Sequence, residues 1–382
     1  MADKPDYTDV AHIGPDALAG RYIRRFWQPI ARSMDLVAGR AMRVELLGEF
    51  WTVYRGTDGS AHVCQDRCPH RQTSLALGWI EGDQIRCFYH GWKFDPAGRC
   101  TEQPAEKQGF KDKVTIKACP TREYLGLVFA YFGEGAPPEF PLFPELEEAK
   151  GTLSVTRHIV PCNYFQRVEN DLDETHVHFV HRVSTGAVGL DELPDIDVEE
   201  SDYGILRRGA RQGGGANSTR TGHYLMPNTL LVDLPPSPDN KYWTLHLAWR
   251  VPVNDTSMAS HIVSLRKGAP GDGRISGGRK IDPDPLTVTE DILAGKLRVQ
   301  DLDPEYNGIF QVQDNVALAG QGRIVDRKLD WLGQSDKGII LLRKIWAREL
   351  QALDEGRPLK QWKRPKDRLP LLVDGVTEVE AL

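Results

Sequence analysis

Two short clusters of metal-binding side chains constrain what this chain can fold into more than any other feature. Cys68-Pro69-His70 is followed, after sixteen residues, by Cys87-Phe88-Tyr89-His90, so each half-site offers one thiolate and one imidazole. Such a mixed set suits a 2Fe-2S cluster in which one iron takes both cysteines and the other both histidines. Neutral imidazole in place of thiolate raises the reduction potential above that of an all-cysteine ferredoxin. The competing reading is a structural Cys2His2 zinc site. Zinc modules usually join Cys to Cys across two to four residues, and a Cys-x-His half-site fits that spacing poorly.

The flanks are as specific as the ligands. Cys68-Pro69-His70-Arg71 and Cys87-Phe88-Tyr89-His90-Gly91-Trp92-Lys93-Phe94-Asp95, closing near Gly98, resemble the two cluster loops of the Rieske domains of ring-hydroxylating oxygenases. In the respiratory-chain Rieske protein each loop carries a further cysteine, whereas Arg71 and Phe88 stand at those places here. Gln72 departs from the oxygenase pattern, which has Gly. Pro69 and Gly91 suit tight loops whose N–H groups point at bridging sulfides.

At 382 residues and 40% hydrophobic content, the chain can bury two moderate cores. The expected class is α+β: a helical lead-in over residues 1–42, an all-β Rieske 2Fe-2S domain over 43–135, and a catalytic domain of antiparallel sheet and helices, helix-grip-like, over 136–382. Ala17–Arg32 reads as a short helix, and runs such as Phe50-Trp51-Thr52-Val53-Tyr54 read as strands. In the second domain, Leu245, Leu247, Trp249 and Val251 alternate as a half-buried strand. Helices are expected over Val168–His181 and over Ser335–Asp354, the latter capped by Ser335 and ended by Gly356. The glycine-rich stretches 212–216 and 267–279 read as loops.

Six cysteines without a dense framework fit a reducing bacterial cytoplasm. No run approaches the roughly 18 apolar residues of a membrane span. A net charge of −6 argues against nucleic acid as a partner. The basic stretch Arg357–Arg368 reads first as a solvated face and second as a dock for an acidic redox partner.

A second constellation follows. Asn170-Asp171-Leu172-Asp173-Glu174-Thr175-His176-Val177-His178-Phe179-Val180-His181 concentrates histidines and acids. Two histidines and one carboxylate form the facial triad of non-haem Fe(II) sites that activate O2. By spacing, His178 and His181 share a helix face, whereas His176 and His181 lie about 140° apart. The pattern Asn-x2-Asp-x2-His-x4-His nevertheless resembles the mononuclear iron site of Rieske oxygenases of the phthalate-dioxygenase, vanillate-demethylase and dicamba-monooxygenase type. That resemblance implies His176 and His181 as ligands, on a helix wound irregularly as at a π-bulge, with Asp173 as a bridge between centres. It implies Asp314, in Gln311-Val312-Gln313-Asp314-Asn315, as the acid ligand; Asp301, Asp303 and Glu305 are nearby alternatives.

The function implied is the catalytic subunit of a multicomponent oxygenase of aromatic catabolism, a homotrimer using O2 and electrons from a separate ferredoxin or flavin reductase to hydroxylate an aromatic substrate. Oxidative O- or N-dealkylation is the alternative within the class. A non-catalytic Rieske electron carrier is the alternative outside it. Tyr164, Phe165, Tyr224, Met226, Trp243, Trp249 and Phe310 are candidates for pocket or core, and Arg207, Arg208 and Arg250 for a substrate carboxylate or for solvent.

Overall fold

The computed structural model of the chain describes residues 6–182, 192–211, 219–234, 242–271 and 274–371. Its contacts separate one unit, Ile23–Phe140, from another, Met1–Tyr22 with Pro141–Leu382.

In the first unit the β-branched and aromatic runs form short strands: β1 (Trp27–Arg32), β2 (Ala41–Leu46), β3 (Glu49–Arg55), β4 (Ala61–Gln65), β5 (Trp79–Glu81), β6 (Gln84–Arg86), β7 (Lys93–Phe94), β8 (Cys100–Glu102), β9 (Ala118–Cys119), β10 (Thr121–Tyr124) and β11 (Leu127–Tyr131). They make three antiparallel sheets, ordered β1-β11-β10, β2-β3-β4-β9 and β5-β6-β7-β8. The expected helix over 17–32 is thus corrected: only α1 (Leu18–Ile23) is helical, and β1 is extended because it pairs with β11, a partner distant in sequence. Pro29 is tolerated because β1 is an edge strand, and the register slips between Pro29 and Ala31. The unit therefore reaches beyond residues 43–135 at both ends. Leu75, Ile85, Trp92 and Phe94 form a buried core with Cys68 and Cys87.

The second unit is built on a seven-stranded antiparallel sheet. Its strands are β12 (Gly151–Val160), β13 (Asp195–Glu200), β14 (Gly204–Ala210), β15 (Thr219–Leu225), β16 (Thr229–Leu234), β17 (Thr244–Asn254) and β18 (Ser257–Lys267), in the order β12-β18-β17-β16-β15-β14-β13. Its helices are α2 (Pro144–Glu147), α3 (Tyr164–Asp171), α4 (Thr175–Val180), α5 (Pro285–Leu293), α6 (Ile309–Ala319) and α7 (Lys337–Asp354). Leu245, Leu247 and Trp249 pair with Leu265, Val263 and His261 on one buried face. The strand was expected to be half-buried, yet Arg250 on its other face is 0% exposed. The reason is α3, whose Asp171 carboxylate accepts from Arg250 Nε and Nη2 at 2.7 and 2.8 Å.

The expected single helix over 168–181 is also corrected. It breaks after Asp171, where Asp173 Oδ1 accepts from the backbone N–H groups of Thr175 (2.8 Å) and His176 (3.1 Å) and so restarts the helix as α4. Helix α7 begins at Lys337, two residues beyond Ser335, and buries Leu342, Ile345, Trp346 and Leu350. Trp346 meets Tyr22 and Phe165 edge-on at 5.0 and 5.3 Å. No helix among the described residues is long and apolar enough to cross a membrane. The stretch 212–216 lies outside the described residues. In the second glycine-rich stretch, Ser276 bridges to Ser154 beside β12. In the basic stretch, Lys360 pairs with Glu200, Arg364 with Glu145 and Arg368 with Glu148, so much of its charge is answered within the chain.

Candidate metal centres

The two cluster loops are held by charged anchors. Asp66, buried before the first loop, accepts from Ser74 Oγ (2.5 Å), Thr52 Oγ1 (3.1 Å) and Arg43 Nε (3.0 Å). Arg86, before the second, donates to Gly91 O at 2.8 Å and to Glu81 and Glu102. Cys68 and Cys87 are 1% and 2% exposed, whereas His70 and His90 keep partial exposure, so the imidazole edge is the one solvent reaches. The two imidazoles are 4.5 Å apart, and His70 lies flat on Trp92. The neighbouring Cys68 thiol lowers Cys87 to about 6 against the pull of burial. His70 Nδ1 is buried without a hydrogen-bond partner. Two buried neighbouring thiols, two adjacent imidazoles and an orphaned ring nitrogen fit a 2Fe-2S group. Gln72, in place of the expected glycine, adopts a left-handed φ of 63°, the conformation glycine takes most easily.

In the second unit, His176, His181 and Asp314 each offer a ligand atom within 4.8 Å of the others. Helix α6 supplies Asp314, α4 supplies His176, and His181 sits just past the end of α4. That position removes the 140° obstacle, which applied only to an unbroken helix. The Nε2 atoms of His181 and His176 lie 3.2 and 3.6 Å from Asp314 Oδ1, a buried oxygen with no well-aligned hydrogen bond. The other carboxylate oxygen accepts from Arg167 Nη1 at 2.7 Å. Burial would raise Asp314, but Arg167 and the two imidazoles outweigh it and hold the carboxyl well below the usual range. Burial pushes His176 toward its neutral form, the form that binds metal. His181 Nδ1 meets Gln313 Oε1 at 2.9 Å. An orphaned carboxylate oxygen facing two imidazole nitrogens fits a divalent iron.

The other sequence candidates fall elsewhere. His178 packs against Phe179. Asp301 pairs with Arg298, and Asp303 caps the N–H of Glu305. Asp173 Oδ2 is 3.7 Å from His176 Nδ1, outside hydrogen-bond range, and the Asp173 side chain is 26% exposed. Arg250 is taken by Asp171, Arg208 is half-exposed beside Glu199, and Arg207 meets Glu174 at 2.7 Å. Glu174 also holds Arg211 and Arg220 at 3.0 and 3.4 Å; burial raises its carboxyl, but the arginines win and bring it to about 2. Tyr164, Phe165, Tyr224, Met226 and Trp249 are buried in the core, Trp243 is partly buried, and Phe310 lies 5.0 Å from the His181 ring. Sequence reasoning missed Arg167, Gln313 and Glu174, polar residues near the metal ligands in sequence that nothing local distinguishes from solvated ones.

Known proteins share both halves of this arrangement. The Rieske [2Fe-2S] domain family matches residues 26–124. Over 367 residues the chain is 32% identical to the 5,5'-dehydrodivanillate O-demethylase oxygenase subunit of Sphingobium sp. strain SYK-6, spanning 92% of this chain and 81% of that protein. The chain belongs to the Rieske oxygenases. This Rieske oxygenase is also 30% identical over 397 residues to the phthalate 4,5-dioxygenase oxygenase subunit of Pseudomonas putida, covering 91% and 86% of the two chains. NdmA of Pseudomonas putida CBB5, solved with caffeine, superposes with a TM-score of 0.69 at 19% identity over 87% of this chain and 93% of that one, and so shares the fold. As a Rieske oxygenase, the protein is the terminal oxygenase of a multicomponent system: it carries a 2Fe-2S cluster and a mononuclear iron, and takes its electrons from a separate ferredoxin or reductase.

Proposed function

We propose that Cys68 and Cys87 hold one iron of the cluster and His70 and His90 the other, that His176, His181 and Asp314 hold the mononuclear iron, and that Asp173 links the two centres across adjacent subunits of a homotrimer. The observation carrying this reading is the approach of both imidazole Nε2 atoms to one oxygen of Asp314, at 3.2 and 3.6 Å, while Arg167 engages the other. Bound at such a triad, iron supplies O2 activation at open positions, and the cluster supplies one-electron transfer.

The chain's own residues do the rest. Arg167 holds Asp314 Oδ2 and leaves Oδ1 toward the imidazoles. Gln313 accepts the Nδ1 proton of His181 and so directs the Nε2 lone pair to the metal side. Asp173 keeps one oxygen on the backbone of α4 and its other oxygen beside His176 Nδ1, where it can receive a hydrogen bond from a cluster imidazole of the adjacent subunit.

The substrate is an aromatic small molecule, processed in the bacterial cytoplasm. One C–H bond, O2, two electrons and two protons give C–OH and water; addition of both oxygens to a ring double bond gives a diol. Identity to an O-demethylase favours a second reading, in which an O-methyl carbon is hydroxylated and the hemiacetal collapses to a phenol and formaldehyde. Turnover of methoxylated and unsubstituted aromatics under 18O2, with a ferredoxin and reductase supplied, tests this. Label should enter the product or the released aldehyde. Two irons per chain with no labelled product from any substrate would point to an electron carrier instead.

A further inference from the structure

The sheet face that meets α3 carries a polar pair that the metal centres do not use. Register places His158 on β12 opposite Ser260, and Ser260 opposite Arg250, on the Asp171 side of the sheet. His246, four residues before Arg250 on β17, shares that face. Arg250 is fully engaged there by Asp171 and Ser260. His158 and His246 differ from it. The side chain of each keeps partial accessible surface on that face and makes no hydrogen bond with any described residue. That face reaches the triad through Asp171, whose carboxylate lies 2.7 Å from Arg250 and 3.7 Å from Arg167, while Arg167 lies 2.7 Å from Asp314.

Half-buried polar side chains without a protein partner are satisfied by water or by a ligand. A ligand is the natural replacement here. Burial first, and then Arg250 and Arg167, push both imidazoles down to about 3, so both are neutral. A neutral imidazole has one N–H donor and one acceptor nitrogen. That pairing matches a hydroxyl, which both gives and takes a hydrogen bond. A carboxylate only accepts, and the two arginines nearest the pair already hold Asp171 and Asp314.

Resting on the oxygenase reading above, we propose that His158 and His246 form the polar wall of the substrate chamber and select aromatic rings bearing a neutral phenolic hydroxyl. His158 fixes which ring position meets the metal. Both are binding residues outside the metal ligands.

The test is anaerobic calorimetric binding to the iron-loaded holoenzyme of guaiacol, of 1,2-dimethoxybenzene, which lacks the hydroxyl, and of 2-methoxybenzoate, which replaces it with a carboxylate. Guaiacol should bind at least about tenfold more tightly than either, since a site built to pair a hydroxyl rejects analogues lacking one. His158→Leu and His246→Leu should bring the three within about threefold of one another, and His158→Gln and His246→Gln, which keep a donor and an acceptor, should preserve the order. Iron content and the cluster spectrum, measured on the same samples, report the metal reading separately: a wild type with two irons per chain would sink the triad and leave the binding order interpretable. Equal or absent binding of all three probes to wild type, tighter binding of the benzoate, or an order unchanged in both Leu variants would overturn the inference.

Discussion

Replacing Gln313 by Met removes a hydrogen-bond acceptor while keeping most of the side chain's volume. The Gln313 carbonyl lies 2.9 Å from Nδ1 of His181, which is 6% exposed, so solvent cannot replace the lost acceptor without rearrangement. Without that acceptor the ring no longer has its proton fixed on Nδ1, and Nε2, 3.2 Å from Asp314 Oδ1, is less often the free lone pair. Outer partners of metal-binding histidines are worth about 10- to 100-fold in metal affinity, or about 1.4–2.8 kcal/mol. Competition with a chromophoric Fe(II) chelator should show that loss for Gln313→Met, with cluster absorbance as the per-chain standard. Gln313→Glu, a stronger acceptor, should bind iron at least as tightly as wild type. An affinity for Gln313→Met within twofold of wild type would refute the idea that Gln313 orients His181.

Asp173→Asn should retain both metal centres and permit reduction of the cluster, while turnover falls by more than about 100-fold, because a neutral amide weakens charge-assisted hydrogen bonds; normal turnover would remove the bridge. Asp171→Asn leaves the buried Arg250 guanidinium without its counter-charge and should cost about 3–5 kcal/mol in urea unfolding, whereas Asp171→Leu with Arg250→Met should recover most of it; a cost under about 1 kcal/mol would contradict the pairing. His158 and His246 are neutral in the fold down to about pH 3 but protonate near pH 6.5 when unfolded, so stability should fall as pH drops through that window, by up to about 1.4 kcal/mol per pH unit for each. His246→Gln should make that decline shallower, and an unchanged slope in urea titrations would count against its burial as a neutral ring. Gln72→Gly should stabilise the cluster loop by about 1 kcal/mol, seen as a higher temperature for loss of visible absorbance, because Gln72 holds a left-handed φ.

Ligand spacing was legible because metals demand particular side chains close together in sequence. Cys68, His70, Cys87 and His90 come from two loops, and each half-site is complete within a few residues. Elements set by distant partners were not legible. Residues 27–32 are extended only because β11 pairs with them, and Arg250 is buried only because Asp171 on α3 reaches it. The helix break at Leu172–Glu174 had a local cause, the Asp173 side chain bonding to backbone N–H groups ahead of it, but helical periodicity through 168–181 masked it. Gln313 and Arg167 carried no signature of their own, since a polar residue beside a metal ligand cannot be told from a solvated one without the fold. Arg207 shows the converse: with Arg208 and Arg250 it was a candidate for a substrate carboxylate or for solvent, and Glu174 takes that place.

Anomalous diffraction at the iron edge, from crystals of the holoenzyme, tests the central claim most directly. Two peaks per chain are predicted, one enclosed by Cys68, His70, Cys87 and His90 and resolving into two irons, and one within bonding distance of His176 Nε2, His181 Nε2 and Asp314. A second peak coordinated by His178 in place of His176, or by an acid other than Asp314, would contradict the account.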